Sequence, residues 1–477
     1  MGIELGSTNG YPTEYEGNVV IDSAGAYWIE YRIYNIGTDT FSAPIYYKAG
    51  SSTPGTPSTP VEYVQGKQSV ITGANYDNFN RERVGIPTPL VDIKLSAGFP
   101  TDLLSTYLNA TGVIIQNPAT DVVELSVTTT NDHVICQTFQ RFLYRTGQAQ
   151  EIYKTGSRFE PETNVIKRTG YYSAAFNDYT DDYLDGLFFE SSNGDVSVNI
   201  WFFGTEIEST PSSSWNRCIN LPDNVVNKIT TSEISAIDWS KDQLVRISFG
   251  WLGVAGVIWE VYVHGVWKAL HFSRHDNILQ TAYMRFANQP LRWEIKSTGG
   301  AGQMNFICSN VISNGTIQSL GRSKGIDRGS NYQNANNKAN TYANIGIALD
   351  ETKPESFRNT VINMTTASVL GITSNDAFVW RLYKLAAGDI SGTILSWNSL
   401  TNSAIKYFYG QDDNIITGGE VMATGYVSQR ESSQPTIDSL IKPGVSLNGT
   451  PEIYVIGIQP ISSNLDVLAS INWHENN

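Results

Sequence analysis

Apolar and polar residues alternate with a period of two along most of the chain, the spacing that turns one face of a β-strand to a core and the other to solvent. The run Tyr27-Trp28-Ile29-Glu30-Tyr31-Arg32-Ile33-Tyr34 shows it first, with Tyr27, Ile29, Tyr31 and Ile33 on one face. Asn193-Gly194 joins two such runs, 186–190 and 196–202, and both residues tolerate the positive φ that a two-residue hairpin needs. In the second run Val196, Val198, Ile200 and Phe202 share a face, while Trp201 and Phe203 fall away from it. His264-Gly265 marks another hairpin, whose register pairs Val263 with Val266, Val261 with Lys268 and Trp259 with Leu270. Leu291-Arg292-Trp293-Glu294-Ile295-Lys296 alternates apolar and charged residues, a strand with one wet face. One segment, 101–108, reads instead as a helix with Thr101 as its N-cap. After residue 315 a polar stretch, 322–340, reads as exposed loop. Strands return at 379–383, 394–397, 405–409, 421–427, 452–458 and 465–473.

Strands at this spacing, separated by Gly, Asn and Ser turns, predict a mainly β protein with jelly-roll or β-sandwich domains in tandem. The run Ser51-Ser52-Thr53-Pro54-Gly55-Thr56-Pro57-Ser58-Thr59-Pro60 sets three prolines among small polar residues and predicts a semi-extended linker. The expected organisation is a short N-terminal β module at 1–50 that attaches the protein, a linker at 51–74, a central jelly-roll-like domain at 75–315 and a C-terminal β-sandwich at 316–477. No short-period repeat suggests a solenoid or propeller.

Composition narrows the function. Of 477 residues, 40% are hydrophobic and 11% aromatic, too many for a disordered chain. Only 16% are charged, against about 25% in a typical soluble domain, so uncharged polar groups must cover much of the surface. Lys+Arg 32 against Asp+Glu 46 gives a net charge of −14 with no basic block, which argues against nucleic acid, whose phosphates demand cations. No run of about 18 apolar residues predicts membrane insertion. The N-terminus lacks a signal-peptide pattern, and Cys136, Cys218 and Cys308 stand far apart, so the expected setting for folding is a reducing one.

Candidate chemistry is sparse. Asp178, Asp181, Asp182 and Asp185 form the densest acidic cluster, but two of these acids are adjacent and the order is not that of a calcium loop. The reading is a solvated turn, with a bound cation as the sharper alternative. Gln411-Asp412-Asp413-Asn414 is a second acidic turn. His264 and His271 fall about 20 Å apart along their hairpin at roughly 3.3 Å per residue, too far to share a metal. Lys154-Thr155-Gly156 and Gly250-x-x-Gly253-x-x-Gly256 lack the companions that would make them a β-lactamase element or a phosphate loop. No catalytic residue, metal or cofactor is expected. Trp251, Trp259 and Trp267 recur every eight residues, either as core and cross-strand packing or as a platform for sugar rings. Trp201, Phe203 and Trp267 are the candidate interface or glycan-binding aromatics. Tyr27, Ile29, Tyr31 and Ile33 form the candidate particle-attachment strand.

Residues 75–477 resemble a family of virion structural proteins of tailed phages and large DNA viruses. The resemblance rests on Arg168-Thr169-Gly170-Tyr171-Tyr172, Asp185-Gly186-Leu187-Phe188-Phe189-Glu190, Asp238-Trp239-Ser240-Lys241-Asp242-Gln243 and Gly250-Trp251-Leu252-Gly253-Val254-Ala255-Gly256-Val257. It continues through His264-Gly265, Pro290-Leu291-Arg292-Trp293-Glu294-Ile295, Asn375-Asp376-Ala377-Phe378-Val379-Trp380 and Leu465-Asp466-Val467-Leu468-Ala469-Ser470-Ile471-Asn472-Trp473. It implies a non-enzymatic component of the virus particle, in its tail, baseplate, fibre or capsid surface, assembled in host cytoplasm. Expected partners are other virion proteins and further copies of the chain, as in a trimer. The alternative is a lectin-like appendage that binds host surface glycans; a glycan-degrading enzyme and a cell-surface adhesin are weaker rivals.

Overall fold

A computed structural model describes the backbone of six strands within residues 14–64. It further describes residues 87–476 except 96–97, 118, 175–182, 220, 222–225, 316–320, 354–359, 373–376, 387, 429–431, 434–441 and 462–463. The chain divides into two compact units, Met1–Thr72 and Gly73–Asn477.

The first unit is one antiparallel sheet in the order Pro54–Gly55, Ile45–Lys48, Tyr27–Asn35, Glu14–Asp22, Pro60–Val64, with Thr40–Phe41 also on Tyr27–Asn35. The stretch expected to be a linker therefore contributes both outer strands. Proline lacks an N–H to donate to a ladder, so it is tolerated at sheet edges and strand starts, where Pro54 and Pro60 stand. The strand holding Tyr27, Ile29, Tyr31 and Ile33 pairs on both sides, with Glu14–Asp22 and with Ile45–Lys48. Addition of a further strand would thus fall to the proline-bearing edges instead.

The second unit carries two β-sandwiches. One layer of the first is an eight-stranded sheet in the order Val266–Ser273, Val257–Val263, Gln243–Phe249, Gln150–Ser157, Gly302–Asn314, Val122–Val127, Val113–Asn117, with Pro87–Lys94 also on Gly302–Asn314. Facing it are seven strands: Thr205–Pro211, Asp195–Phe202, Asp185–Ser192, Val165–Ser173, Leu291–Ser297, His133–Thr138 and Leu104–Asn109. The alternating residues Val196, Val198, Ile200, Leu291, Trp293 and Ile295 from one sheet meet Ile247, Trp259, Val261, Phe306 and Val311 from the other in a single core. The second sandwich spans 322–476. Its five-stranded layer centres on Leu465–Asn476, and its eight-stranded layer on Tyr342–Leu349, Ile453–Pro460 and Phe378–Leu385. Ile345, Ile347, Ile456 and Trp380 pack there against Ile362, Ile471 and Trp473.

The two sandwiches are joined by specific polar contacts. Leu447 N donates to Ser105 Oγ at 2.9 Å, Val445 N donates to Phe139 O at 3.0 Å, and Lys384 Nζ donates to Asp102 O at 2.7 Å. Lys384 also pairs with the buried carboxylate of Glu452 at 2.6 Å.

Both hairpin turns occur where the dipeptides place them. Asn193 and Gly194 take φ +51° and +85°, and His264 and Gly265 take +51° and +84°. Val263 pairs with Val266 and Val261 with Lys268, but a bulge at Trp259/Glu260 shifts the register so that Trp259 faces His271 and not Leu270. The expected helix at 101–108 is absent: Leu104–Asn109 is a strand along His133–Thr138. Its Thr and Tyr favour an extended chain, and pairing within a sheet overrides a weak helical pattern. The expected loop 322–340 holds two strands, Arg322–Asp327 and Gln333–Ala335, both on Leu465–Asn476. Ile394, expected in a strand, is 92% exposed. A short helix not foreseen, Thr231–Ser235, is closed by a capping box between Thr230 and Glu233.

Gly170 and Gly186 lie on adjoining strands where the backbones approach closely. A Cβ on Gly170 would sit 2.3 Å from Leu187 O, and one on Gly186, whose φ is +131°, 2.4 Å from Tyr171 O. Overpacking of this kind costs about 1–3 kcal/mol. Gly170→Ala is therefore expected to lower the unfolding free energy of the second unit, read from urea denaturation, by about 2 kcal/mol, whereas an Ala at the open position Gly388 leaves it unchanged.

Candidate functional site

Three loops at one end of the first sandwich meet the first and last strands of the second. The loop 143–148 connects His133–Thr138 to Gln150–Ser157, Trp251 and Leu252 follow Gln243–Phe249, and Ala287 and Asn288 precede Leu291–Ser297. Opposite them Arg322 pairs with Glu475 in the sheet register. Together these segments line an open cleft of about 660 Å³, within the range of roughly 300–1,000 Å³ that holds small ligands.

The cleft combines an aromatic surface with hydrogen-bond donors. Trp251 is 42% exposed, and its indole edge lies against Gly147, where a Cβ would come within 3.4 Å of Trp251 Cζ2. Gly147 has φ +85°, which favours glycine and keeps that approach open. Tyr144 stacks on Phe249 with centroids 5.9 Å apart, and its hydroxyl accepts from Leu252 N at 3.3 Å. Burial pushes the Tyr144 phenol above its usual pKa, so it is neutral at pH 7. Asn288 Oδ1 accepts from Tyr144 N at 2.7 Å and fixes the 143–148 loop. Gln148 Oε1 accepts from Ser313 Oγ at 3.0 Å. Arg145 is half-buried, and burial lowers its pKa. Arg322 is exposed and makes no ion pair among the described residues. Glu475, nearly fully buried, accepts from Trp473 Nε1 at 3.0 Å and from Ser403 Oγ.

Charged groups on the outer faces of the first sandwich are engaged with one another. Glu294 accepts from Arg292 Nη2 at 2.9 Å and from Tyr172 Oη at 3.1 Å, contacts His133 Nε2 at 2.8 Å, and lies 3.6 Å from Arg168 Nη1. Burial opposes its ionisation, but Arg292, His133 and Arg168 outweigh that and hold Glu294 well below the usual carboxylate range. It is a fixed anion and has no proton to donate at neutral pH. On the opposite face Arg246 donates to Glu260 at 2.6 Å, with Glu151 at 3.8 Å. Inside the sandwich Lys154 Nζ donates to Arg292 O at 3.2 Å and lies 3.3 Å from the Trp293 ring centroid.

The three aromatics singled out in the sequence are not among the residues that line the cleft. Trp201 is half-buried against Tyr172 and Phe188. Phe203 sits at a turn with φ +43°, its ring covered by Arg285 at 4.2 Å. Trp267 has the Arg246 guanidinium 4.5 Å from its centroid and Tyr262 edge-on at 5.4 Å. Of the tryptophans spaced every eight residues, Trp259 is core and Trp251 is the one in the cleft.

Asp178, Asp181 and Asp182 lie outside the described residues. Asp185 accepts from Arg285 N at 2.8 Å, Phe286 N at 2.9 Å and Gln289 Nε2 at 2.7 Å, which is a structural task. Asp412 and Asp413 likewise accept from Asn334 N and Thr393 N. Among the described residues no group of three or more His, Cys, Asp or Glu is placed to hold a metal, and the three cysteines are free thiols. Arg145, Gln148, Asn288 and Arg322 were missed because three separate segments supply them, and nothing in the spacing between those segments signals that they meet.

Because the folded pKa of Glu294 is depressed, its contribution to stability is present above the unfolded carboxylate range, near pH 4.3, and is lost as pH falls below it. Glu294→Gln leaves Arg292 without its buried anion, while Arg168 keeps Glu190 at 2.7 Å, and is expected to cost about 3 kcal/mol at pH 7. It should also flatten the acid side of a stability–pH curve followed by tryptophan fluorescence.

No protein-family model and no curated protein matches the chain. Among solved structures it is similar to a protein of unknown function from Shewanella oneidensis MR-1, at 10% identity over 53% of this chain and 95% of that one, with a TM-score of 0.30. It is also similar to the carbohydrate recognition domain of Emp46p, at 8% identity over 48% and 97% with a TM-score of 0.30. A legume lectin-like domain from Entamoeba histolytica matches at 9% identity over 45% and 91% with a TM-score of 0.27. Likeness at these values says nothing about what the chain does; its mainly β sandwich architecture stands on its own strands.

Proposed function

We propose that the chain is a non-enzymatic glycan-binding protein that serves as a structural component of a virus particle's surface. The glycan reading is carried by one observation: a half-exposed indole, Trp251, in a 660 Å³ cleft beside Arg145, Gln148 and Arg322. Sugar rings present apolar C–H faces that stack on an indole and polar rims that need fixed hydrogen-bond partners, and this cleft supplies both. The particle setting is supported by the sequence resemblance, and assembly by the edge strand Glu420–Val427, which exposes Val421, Met422 and, at 77%, Tyr426.

Two measurements test this. On a glycan array the full chain is expected to bind, and Trp251→Ala to weaken binding at least about tenfold without a change in melting temperature. Failure to bind any glycan, or binding indifferent to Trp251→Ala, overturns the reading. Light scattering is expected to give a homo-oligomer; a monomer at virion-like concentration overturns the assembly part.

A further inference from the structure

A buried amine that the cleft does not use stands on a second cavity. Lys154, on the strand Gln150–Ser157, lies inside the first sandwich and is 2% exposed. It lines a cavity of about 30 Å³ with Phe189, Trp293 and Phe306. The strand ends Ser157 and Gln243, both half-buried, line it too, so it lies close to one end of the sandwich. A water-sized guest takes roughly 10–15 Å³ of such space, so the cavity admits about two or three heavy atoms.

Lys154 Nζ donates to Arg292 O at 3.2 Å and lies 3.3 Å from the Trp293 ring centroid. These contacts occupy two N–H groups. No carboxylate acts on the amine; the ionisable group that does is the Cys136 thiol, which burial keeps protonated. Burial holds Lys154 well below the usual lysine pKa. An amine without its third proton keeps a lone pair, which makes it a nucleophile toward carbonyl carbon. Lys167 is as deeply buried, but Glu162 at 3.2 Å and the carbonyls of Arg158 and Glu160 hold its amine. Two further groups on the Lys154 cavity, Thr169 Oγ1 and Asn305 Oδ1, have no hydrogen-bond partner among the described residues. A hydroxyl can donate to a carbonyl oxygen, and an amide oxygen can accept from the hydroxyl that this oxygen becomes.

We infer that Lys154 is a covalent site for a short aldehyde of two or three heavy atoms, which enters this cavity and condenses with the amine to an imine. The nitrogen lone pair forms a C–N bond to the carbonyl carbon. The carbonyl oxygen takes a proton from the nitrogen, with Thr169 as its hydrogen-bond donor. The C–O bond then breaks and the oxygen leaves as water with the second amine proton. The adduct is neutral, as an apolar cavity requires. Carbon dioxide is of similar size, but its carbamate would add an anion, and no cation other than Lys154 lines the cavity.

The test treats the full chain at pH 7 with limiting acetaldehyde and cyanoborohydride, which reduces an imine to a stable ethylamine, and follows each lysine by peptide mass mapping. An ordinary lysine, with a pKa of about 10.4, is uncharged in about 0.04% of molecules at pH 7. Lys154 is therefore expected to label at least about tenfold faster than Lys167 or any exposed lysine. Benzaldehyde, too large for the cavity, is expected to label exposed lysines and spare Lys154. Thr169→Val, which removes the hydroxyl at nearly constant volume, is expected to slow Lys154 about fivefold and leave exposed lysines unchanged. Melting temperature checks that this variant is folded. Labelling of Lys154 no faster than that of exposed lysines, or only after unfolding in urea, overturns the inference. A Lys154 rate that benzaldehyde matches, or that Thr169→Val leaves unchanged, also overturns it.

Discussion

The first sandwich depends on aromatic rings that lock its two sheets face to face. Trp293 of the seven-stranded sheet stacks on Phe306 of the eight-stranded one with centroids 4.4 Å apart, and Phe189 meets Trp259 edge-on at 5.2 Å. Indoles bury more area than any other side chain, so a few such pairs set the spacing and alignment of the layers. Lys154 adds a polar tie across the same gap, from one sheet to the Arg292 carbonyl of the other. With the layers fixed, the loops at 143–148, 251–252 and 287–288 emerge from one end in a fixed relation. That relation makes a cleft out of three otherwise unremarkable turns.

Low charge content takes on a different meaning in the fold. The expectation was of flat, uncharged faces. Some of the charged residues lie buried on the outer faces of the first sandwich, in the Glu294–Arg292–Arg168 and Arg246–Glu260–Glu151 groups. The chain covers these faces itself, with Cys218 and Val226 over Ile258 and Ala269, and Leu184 beside Tyr172 and Phe188. Buried ion pairs add little net stability over apolar packing but are costly to break, so they favour one arrangement over its competitors. The cleft lies apart from both groups in its lining residues.

Strand identity was legible because a period of two is a local property. Val196, Val198 and Ile200 on one face, and Leu291, Trp293 and Ile295 on another, show their burial without reference to the rest of the chain. The Asn193-Gly194 and His264-Gly265 turns were equally legible, since positive φ at both positions is a demand on two residues alone. Errors arose where a distant partner decides. The 101–108 segment became a strand because His133–Thr138 offers it a ladder, and the bulge at Trp259/Glu260 displaced a register that turn geometry alone would have kept.

The amino-acid sequence by itself determined a mainly β chain, its two tight hairpins and the apolar faces that form its cores, because these follow from alternation and backbone preference within a few residues. Tertiary structure alone decided which tryptophan of the eight-residue series reaches solvent, and which arginines stand beside it. Trp251, Arg145, Asn288 and Arg322 come from segments up to 177 residues apart (322 − 145), and they share a cleft only because two stacked sheets and the strand Leu465–Asn476 bring their ends together.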